Sequence, residues 1–346
     1  MPVYTLNPLE DRRWAELCQQ SPSTSVFHST GWLAALRQTY GYEPIVYTTC
    51  PPCKTLTNGM VFCRITSWLT GRRMISVPFA DHCEPVLEGP EQRQEIFAAL
   101  NRTLQGERLK YIEIRPLRVD LSAESSLCEA KSFWLHWLSL RPTLANLFRG
   151  LQKDSTQRKI RRADREGLCY ESGDSEVFLN KFYRMMVVVR RRHNLPPQPI
   201  EWFRNLITFL KDRLTIHLAS YRERPIAGIL TLRHRDTLMY KYGGSDARYH
   251  SFGGMPFLLW KAIQQAKNEG LQVFDFGRSD TDNEGLIRFK DNWGSTRSVL
   301  TYGRISATPA RAAGGGQLSN FARRAFGYMP DFLSAAAGRL LYRHIG

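Results

Sequence analysis

The stretch LTIHLASYRERPIAGILTLRHRDTLMYKY, residues 214–242, decides the fold. Its β-rich runs are separated by the turn-forming segments YRERP and RDT, a pattern that predicts an antiparallel meander. These runs are 214–220, 226–234 and 238–242. The hydrophobic period then changes, because PFLLWKAIQQAKNE is typical of a helix that Gly270 ends, and LQVFDF at 271–276 is typical of a buried strand.

Outward from this stretch, the second half of the chain predicts the order strand, two helices, three strands, helix, strand, helix and strand. The first half predicts the same order from weaker signals, although the two halves share no visible sequence similarity. A length of 346 residues also suits two domains. We therefore predict one domain at 1–148, a second at 149–306, and a linker with a basic tail at 307–346.

Composition and charge limit the class of protein and the kinds of partner that we expect. The hydrophobic fraction of 42% excludes a disordered chain, and no apolar run reaches the length of a membrane span. The N-terminus lacks the pattern of a secretion signal, so we expect a cytoplasmic protein. With 48 basic and 32 acidic side chains the net charge is +16, which favours anionic partners such as tRNA, nucleotide or coenzyme phosphates, or an acidic membrane face. DNA is not among the expected partners.

The predicted order of elements resembles that of GNAT-type acyltransferases, in which two central strands splay apart and admit the acyl donor. Here those strands are 238–242 and 271–276. The resemblance implies an α/β (α+β) fold of tandem GNAT-like domains with mixed, mainly antiparallel sheets. The GNAT phosphate loop has a counterpart in HSFGGM, which assigns Gly253 and Gly254 to cofactor binding, although His250 and Met255 depart from the pattern. Ordinary loop glycines are the alternative.

A second resemblance rests on LQVFDFGRSDTDNEGLIRFKDNWG at 271–294, YKYGGSD at 240–246 and QRKIRRADREG at 157–167. Together these segments resemble the Fem family of aminoacyltransferases of cell-wall synthesis, and more closely the FemAB-related proteins associated with the PEP-CTERM/exosortase system. The resemblance implies transfer of an acyl or aminoacyl group to an amine of a cell-envelope or exopolysaccharide precursor. The donor would be aminoacyl-tRNA or acyl-CoA as a co-substrate, with no tightly bound cofactor.

Two residues, Lys290 and Asp275, are candidates for catalysis, and a third nearby, Arg278, is a candidate for substrate binding. The resemblance of the RFK segment gives Lys290 the role of stabilising charge on the attacked carbonyl, and a solvated helix lysine is the alternative. Asp275 lies within an apolar strand, where a carboxylate requires either bonds to the backbone or a place beside the reacting amine. Arg278 follows near the carboxyl end of that strand, where ligands often bind.

Four further residues are candidates for substrate binding. Tyr240 and Tyr242 alternate with Lys241 on the predicted splayed strand, so both are expected on one face, in contact with substrate or in the core. Arg158 and Arg162 share one face of a predicted helix. That face would bind a pyrophosphate or tRNA phosphate, or would be an ordinary solvated surface.

One cysteine motif could be read as a metal site. Cys50-Pro-Pro-Cys53, with Cys63 and His82-Cys83, superficially suggests zinc, but the spacing gives no second pair and the prolines favour a hairpin turn, so no metal site is predicted.

The segment 317–346 is basic and amphipathic, and would either pack on the body or contact the inner membrane peripherally. Two other functions stay open: an acyl-CoA-dependent GNAT acetyltransferase, and a non-catalytic RNA- or membrane-binding module.

Overall fold

The computed structural model describes residues 1–120, 124–306 and 331–345, which form two compact units. The first unit takes its described residues from 1–132, 300–306 and 340–345, and the second from 133–299 and 331–339. In chain order the elements are β1 (Tyr4–Leu6), α1 (Arg12–Gln20), α2 (Thr30–Tyr40), β2 (Glu43–Thr48), β3 (Met60–Ser67), β4 (Gly71–Ile75), α3 (Pro90–Gly106), β5 (Tyr111–Ile114), β6 (Cys128–Ser139), α4 (Leu144–Gly150), α5 (Arg158–Arg165), β7 (Cys169–Gly173), α6 (Glu176–Arg192), α7 (Ile200–Leu210), β8 (Leu214–Tyr221), β9 (Arg224–His234), β10 (Thr237–Ser245), α8 (Gly254–Asn268), β11 (Val273–Asp280), α9 (Glu284–Asp291), β12 (Thr296–Ser306) and α10 (Asp331–Ile345).

The second unit contains a mixed sheet in the order β6-β11-β10-β9-β8-β7. The predicted meander is present as β8, β9 and β10, and β11 pairs parallel with β10. On one face the buried side chains of α8, among them Phe257, Leu258 and Ile263, join Ile160 of α5 in an apolar core. On the other face Phe182 of α6 packs against α7. The element order predicted from the sequence is therefore confirmed.

The first unit repeats this plan. Its sheet runs β1-β2-β3-β4-β5-β12, in which β4 and β5 are parallel and the other described pairs are antiparallel. A core between this sheet and α3 includes Phe62, Phe97, Leu100 and Ile112. The sequence places 132–140 in the first domain and 296–304 in the second. In the structure β6 from Phe133 belongs to the second unit, and β12 from Leu300 belongs to the first.

Two helix starts differ by one residue from what the sequence predicts. Asp174 precedes an apolar helical stripe and is therefore predicted to cap α6, but the N-cap is Ser175. Pro199 suits the first turn of a helix and is predicted there in α7, but it occupies the N-cap position. Both differences amount to one residue, within the usual spread of helix ends.

The predicted basic tail lies partly outside the described residues, because 307–330 are not among them. Its last part forms α10, whose end lies in the first unit. There the Tyr42 hydroxyl donates to the Tyr342 carbonyl at 2.7 Å, and the Arg73 guanidinium donates to the His344 carbonyl at 2.7 Å. The end of the tail thus packs on protein. Within the described residues no helix is both long and apolar enough to cross a bilayer.

A buried histidine links the sheet of the second unit to α8. His217 on β8 hydrogen-bonds the hydroxyls of Tyr170 and Thr231, each at 2.8 Å, and Tyr170 also donates to Gln265 of α8 at 3.3 Å. Burial lowers the pKa of His217 from 6.5 to about 4. The imidazole is therefore neutral in the folded chain at pH values where the unfolded chain binds a proton.

This difference predicts a pH dependence of stability. As the pH falls from 6.5 towards 4, only the unfolded chain gains a proton at His217, so the free energy of unfolding falls by up to about 1.4 kcal/mol per pH unit. In His217→Gln that contribution is absent, and the slope of stability against pH, measured by urea unfolding, should be shallower by that amount. Parallel curves for the variant and the parent protein would contradict the prediction.

Candidate active site

Two neighbouring strands of the second unit separate in the middle of the sheet. β10 and β11 pair only through 237–239 and 273–275. Beyond those residues β10 continues along β9, and β11 continues along β6. The predicted splay of strands is thus present, and it leaves the facing edges of β10 and β11 without ladder bonds to each other from Tyr240 and Phe276 onwards. Such edges offer backbone groups to a ligand.

β11 contains a β-bulge at the point where its pairing with β10 ends. The pairing with β6 shifts between Asp275 and Gly277, and Gly277 has φ +71°, a conformation that glycine adopts without strain. Asp275 is 6% exposed, and its Oδ1 accepts the Gly277 N–H at 2.7 Å. Of the two environments considered for this carboxylate, bonding to the backbone is observed at Oδ1. The bond fixes the bulge.

Lys290 lies against the same bulge. Its side chain reaches back from α9, is 2% exposed, and donates through Nζ to the carbonyls of Gly277 and Arg278 at 2.8 and 2.9 Å. The alternative of a solvated helix lysine is therefore wrong. A buried ammonium held by carbonyl dipoles is a fixed positive charge in a region of low dielectric, where it interacts strongly with any developing anion.

Sequence reasoning missed His136, which lies beside Lys290. It is fully buried on β6, pairs in register with Gly277, and places Nε2 3.3 Å from Oδ1 of Asp291. Burial first, and then the charge of Lys290, lower the pKa of His136 to about 4. The imidazole is therefore neutral and adds no positive charge beside the ammonium. Its position within the apolar run SFWLHWLSL was the available signal.

The two tyrosines of β10 lie on opposite faces of the sheet, so the prediction that they share a face is wrong. A bulge at Lys241 shifts the register, so that Tyr240 pairs with Thr231 and Tyr242 pairs with Leu230. Tyr240 packs against the α8 core, and burial raises its pKa to about 12. Tyr242 accepts the indole N–H of Trp202 at 3.0 Å on the other face.

The glycines assigned to a phosphate loop each have a packing role. Gly253 has φ +78° where α8 begins, and a Cβ there would lie 2.4 Å from the Lys159 carbonyl of α5. A Cβ on Gly254 would lie 3.0 Å from the Cβ of Ala227 on β9. The third helix residue is Pro256, which has no N–H to offer a phosphate. Close packing of α8 therefore accounts for both glycines.

A basic cavity of about 740 Å³ lies beside the start of α8. Its lining contains two of the three arginines predicted to bind substrate, and consists of Arg158, Lys159, Arg162, Arg165, Glu166 and Ser251. Arg162 also pairs with Glu166 at 3.3 Å. Four cations and one carboxylate around a cavity of this volume suit an anionic ligand.

A second basic cluster of the sequence, formed by the three consecutive arginines 190–192, reaches the same surface. Arg192, at the end of α6, lies 3.4 Å from Nε2 of His250, and the Ser245 hydroxyl lies 3.0 Å from the same nitrogen. Burial first, and then the charges of Arg192 and Lys159, lower the pKa of His250. Two clusters that are about 30 residues apart in sequence are therefore joined through His250.

Arg278, the remaining candidate, lies on β11 with its guanidinium 4.2 Å from the centroid of the Phe133 ring. Its carbonyl is one of the two that accept hydrogen bonds from Lys290.

Within the described residues no group of three or more histidine, cysteine or acidic side chains is arranged to hold a metal. The Cys50–Cys53 segment joins β2 to β3, as the hairpin prediction requires.

The sequence has detectable relatives. Residues 152–291 match the family model of the acetyltransferase (GNAT) domain. A segment of 146 residues is 26% identical to the UDP-N-acetylmuramoylpentapeptide-lysine N(6)-alanyltransferase of Weissella viridescens. That match covers 40% of this chain and 42% of the relative, so the chain spans less than half the length of the curated protein it resembles.

Solved structures extend the likeness of fold to most of the chain. The crystal structure of FemX has a TM-score of 0.69 at 12% identity, and the match covers 88% of this chain and 97% of FemX. A tandem GNAT protein of the clavulanic acid biosynthesis pathway has a TM-score of 0.55 at 10% identity, covering 89% and 99%. The predicted fold class of tandem GNAT-like units is therefore confirmed, and the segment that matches the GNAT domain model, 152–291, lies in the second unit.

Proposed function

We propose that this protein is an N-acyltransferase of the Fem type, which transfers an acyl or aminoacyl group to an amine of a cell-envelope or exopolysaccharide precursor. The observation that carries the proposal is the buried Lys290 ammonium, held at a bulge beside the splay of β10 and β11. The alanyltransferase relative in Weissella viridescens supports the aminoacyl donor and the amine acceptor. The association with the PEP-CTERM/exosortase system rests on the sequence resemblance alone.

In this mechanism the acyl carbonyl enters the splay, and the acceptor amine attacks it. Negative charge develops on the carbonyl oxygen, and Lys290 stabilises it because its ammonium is already fixed and desolvated. The neutral His136 imidazole adds no charge of its own beside that ammonium. The amine gives up its proton to Asp275 or to a phosphate of the substrate. The bond between the acyl carbon and the donor then breaks, and the tRNA hydroxyl or the coenzyme A thiol leaves with a proton. No covalent intermediate with the enzyme is required.

Both candidate donors, aminoacyl-tRNA and acyl-CoA, are anionic, and we propose that the basic cavity binds their phosphates. Arg158 and Arg162 are the predicted contacts, and the surface continues over His250 to Arg192. Because Gly253 packs against α5 and Pro256 lacks an N–H, arginine side chains replace the helix start that usually binds coenzyme phosphates. This arrangement favours aminoacyl-tRNA, while the GNAT domain match keeps acyl-CoA as the second candidate donor.

The test is a transfer assay with the purified protein. Labelled alanyl-tRNA and labelled acetyl-CoA are each offered with amine-bearing envelope precursors, and products are identified by mass spectrometry. Label on the acceptor amine supports the proposal, and the productive donor decides between the two candidates. Salt-dependent binding of RNA or of anionic vesicles without any product would instead show a non-catalytic binding module.

Loss of the cavity arginines should weaken binding of the donor. For Arg158→Ala with Arg162→Ala we expect affinity for tRNA to fall about tenfold at moderate salt, and the slope of log K against log salt to decrease in magnitude by about 1.5, because two phosphate contacts are lost. Fluorescence anisotropy at several salt concentrations measures both quantities.

A double variant with the same change in net charge serves as the control. Arg12 and Arg72 are exposed in the first unit, outside the cavity lining. Arg12→Ala with Arg72→Ala should leave the slope unchanged. Equal losses in the two double variants would show that only the overall charge matters.

A further inference from the structure

The Cys50-Pro-Pro-Cys53 motif plays no part in the proposed function, yet its surroundings are specific. Cys50 is 9% exposed, and its sulfur receives the Thr57 N–H and the Asn58 side-chain N–H, each at 3.4 Å. The Thr57 hydroxyl lies 3.6 Å from the same sulfur. Donors directed at a sulfur stabilise its thiolate form.

A guanidinium lies in the same turn. Arg13 donates through Nη1 to the carbonyls of Pro51 and Lys54, at 2.9 and 2.8 Å, and also donates to both carboxylate oxygens of Asp11. Hydrogen bonding to Asp11 first, and then the charges of Cys50 and Cys53, raise the pKa of Arg13. The cation therefore acts on both sulfurs.

Two buried thiols of the first unit have opposite surroundings. Burial raises the pKa of Cys63 and of Cys83, which are both in the core. Burial also raises the pKa of Cys50, but hydrogen bonds from Thr57, Thr48 and Asn58 outweigh this effect, so the pKa of the thiol is lowered. Of these three thiols Cys50 is the one whose environment favours reaction, and its partner three residues away, Cys53, is exposed.

We propose that Cys50 and Cys53 form a reactive thiol pair that small disulfides oxidise reversibly to an intramolecular disulfide. The Cys50 thiolate attacks one sulfur of the small disulfide, whose S–S bond breaks and releases one thiolate, leaving a mixed disulfide on Cys50. The Cys53 thiolate then attacks the Cys50 sulfur and displaces the second small thiolate. The cysteine pair loses two electrons and the small disulfide gains them, while the proton of Cys53 goes to a released thiolate.

The first measurement is the pH dependence of alkylation in the whole protein. Iodoacetamide labelling is followed at each cysteine by peptide mass spectrometry, with the exposed Cys128 and Cys169 as internal references. The midpoint for Cys50 should lie below that of both references, whatever its absolute rate, because the midpoint reports the thiolate fraction. A midpoint at or above the references overturns the proposal.

The second measurement is oxidation by glutathione disulfide. The parent protein should yield a peptide pair linked through Cys50 and Cys53, which dithiothreitol separates. Cys53→Ser should instead accumulate one glutathione on Cys50, and Cys50→Ser should react at Cys53 about tenfold more slowly than Cys53→Ser reacts at Cys50. Absence of the linked pair, or equal rates in the two variants, overturns the proposal.

Discussion

Replacing Lys290 by methionine is expected to reduce acyl transfer by about 10²–10³-fold, the loss typical when a preorganised donor to a developing oxyanion is removed. Methionine retains the length and much of the volume of the lysine stem but carries no charge. Two carbonyls, those of Gly277 and Arg278, lose a donor, so we also expect the free energy of unfolding to fall by about 1–3 kcal/mol. Steady-state transfer rates and urea unfolding measure the two effects separately.

Arg288→Met is the matched control for that substitution. Arg288 lies on the same helix, α9, and is exposed, so the variant removes one cation without touching the bulge. It should retain near-parental turnover. If Lys290→Met were as active as Arg288→Met, the ammonium would have no part in the chemistry, even if both proteins were folded.

The largest expected effect on stability comes from Gly253→Ala. A Cβ at this position would lie 2.4 Å from the Lys159 carbonyl, a backbone atom, and the residue has φ +78°. The left-handed conformation costs about 1–2 kcal/mol for alanine, and displacing α5 costs about 1–3 kcal/mol more. We therefore expect a loss of about 2–5 kcal/mol in urea unfolding.

Gly270→Ala separates the cost of the left-handed conformation from the cost of displacing α5. Gly270 has φ +80°, but nothing lies within 4 Å of a Cβ placed on it. It should lose only about 1–2 kcal/mol. Equal losses in the two variants would mean that α5 does not press on the start of α8, and the explanation given for Gly253 would fail.

Much of the fold follows from local sequence signals. The meander, the helix α8 and the strand β11 each have the hydrophobic period of their element, and Gly270 takes the left-handed conformation expected after the helix. These features could be predicted because each depends on residues that are neighbours in the chain. The splay of β10 and β11 follows instead from the resemblance of the element order to GNAT-type acyltransferases.

Features that depend on register or on distant residues could not be predicted. A single extra residue, Lys241, places Tyr240 and Tyr242 on opposite faces, and nothing in YKY marks a bulge. The meeting of Arg192 with the α5 cavity requires His250, which comes from a third segment. The position of His136 beside Lys290 depends on the pairing of β6 with β11, two strands separated by more than 130 residues.

The most direct test of the central claim is a crystal structure of the protein with a stable donor analogue, either an amide-linked aminoacyl-adenosine or an unreactive acyl-CoA. The account predicts that the acyl carbonyl lies between β10 and β11, with its oxygen within about 3 Å of Lys290 Nζ, as a hydrogen bond requires. A carbonyl bound elsewhere, with the space between these strands filled by side chains, would contradict it.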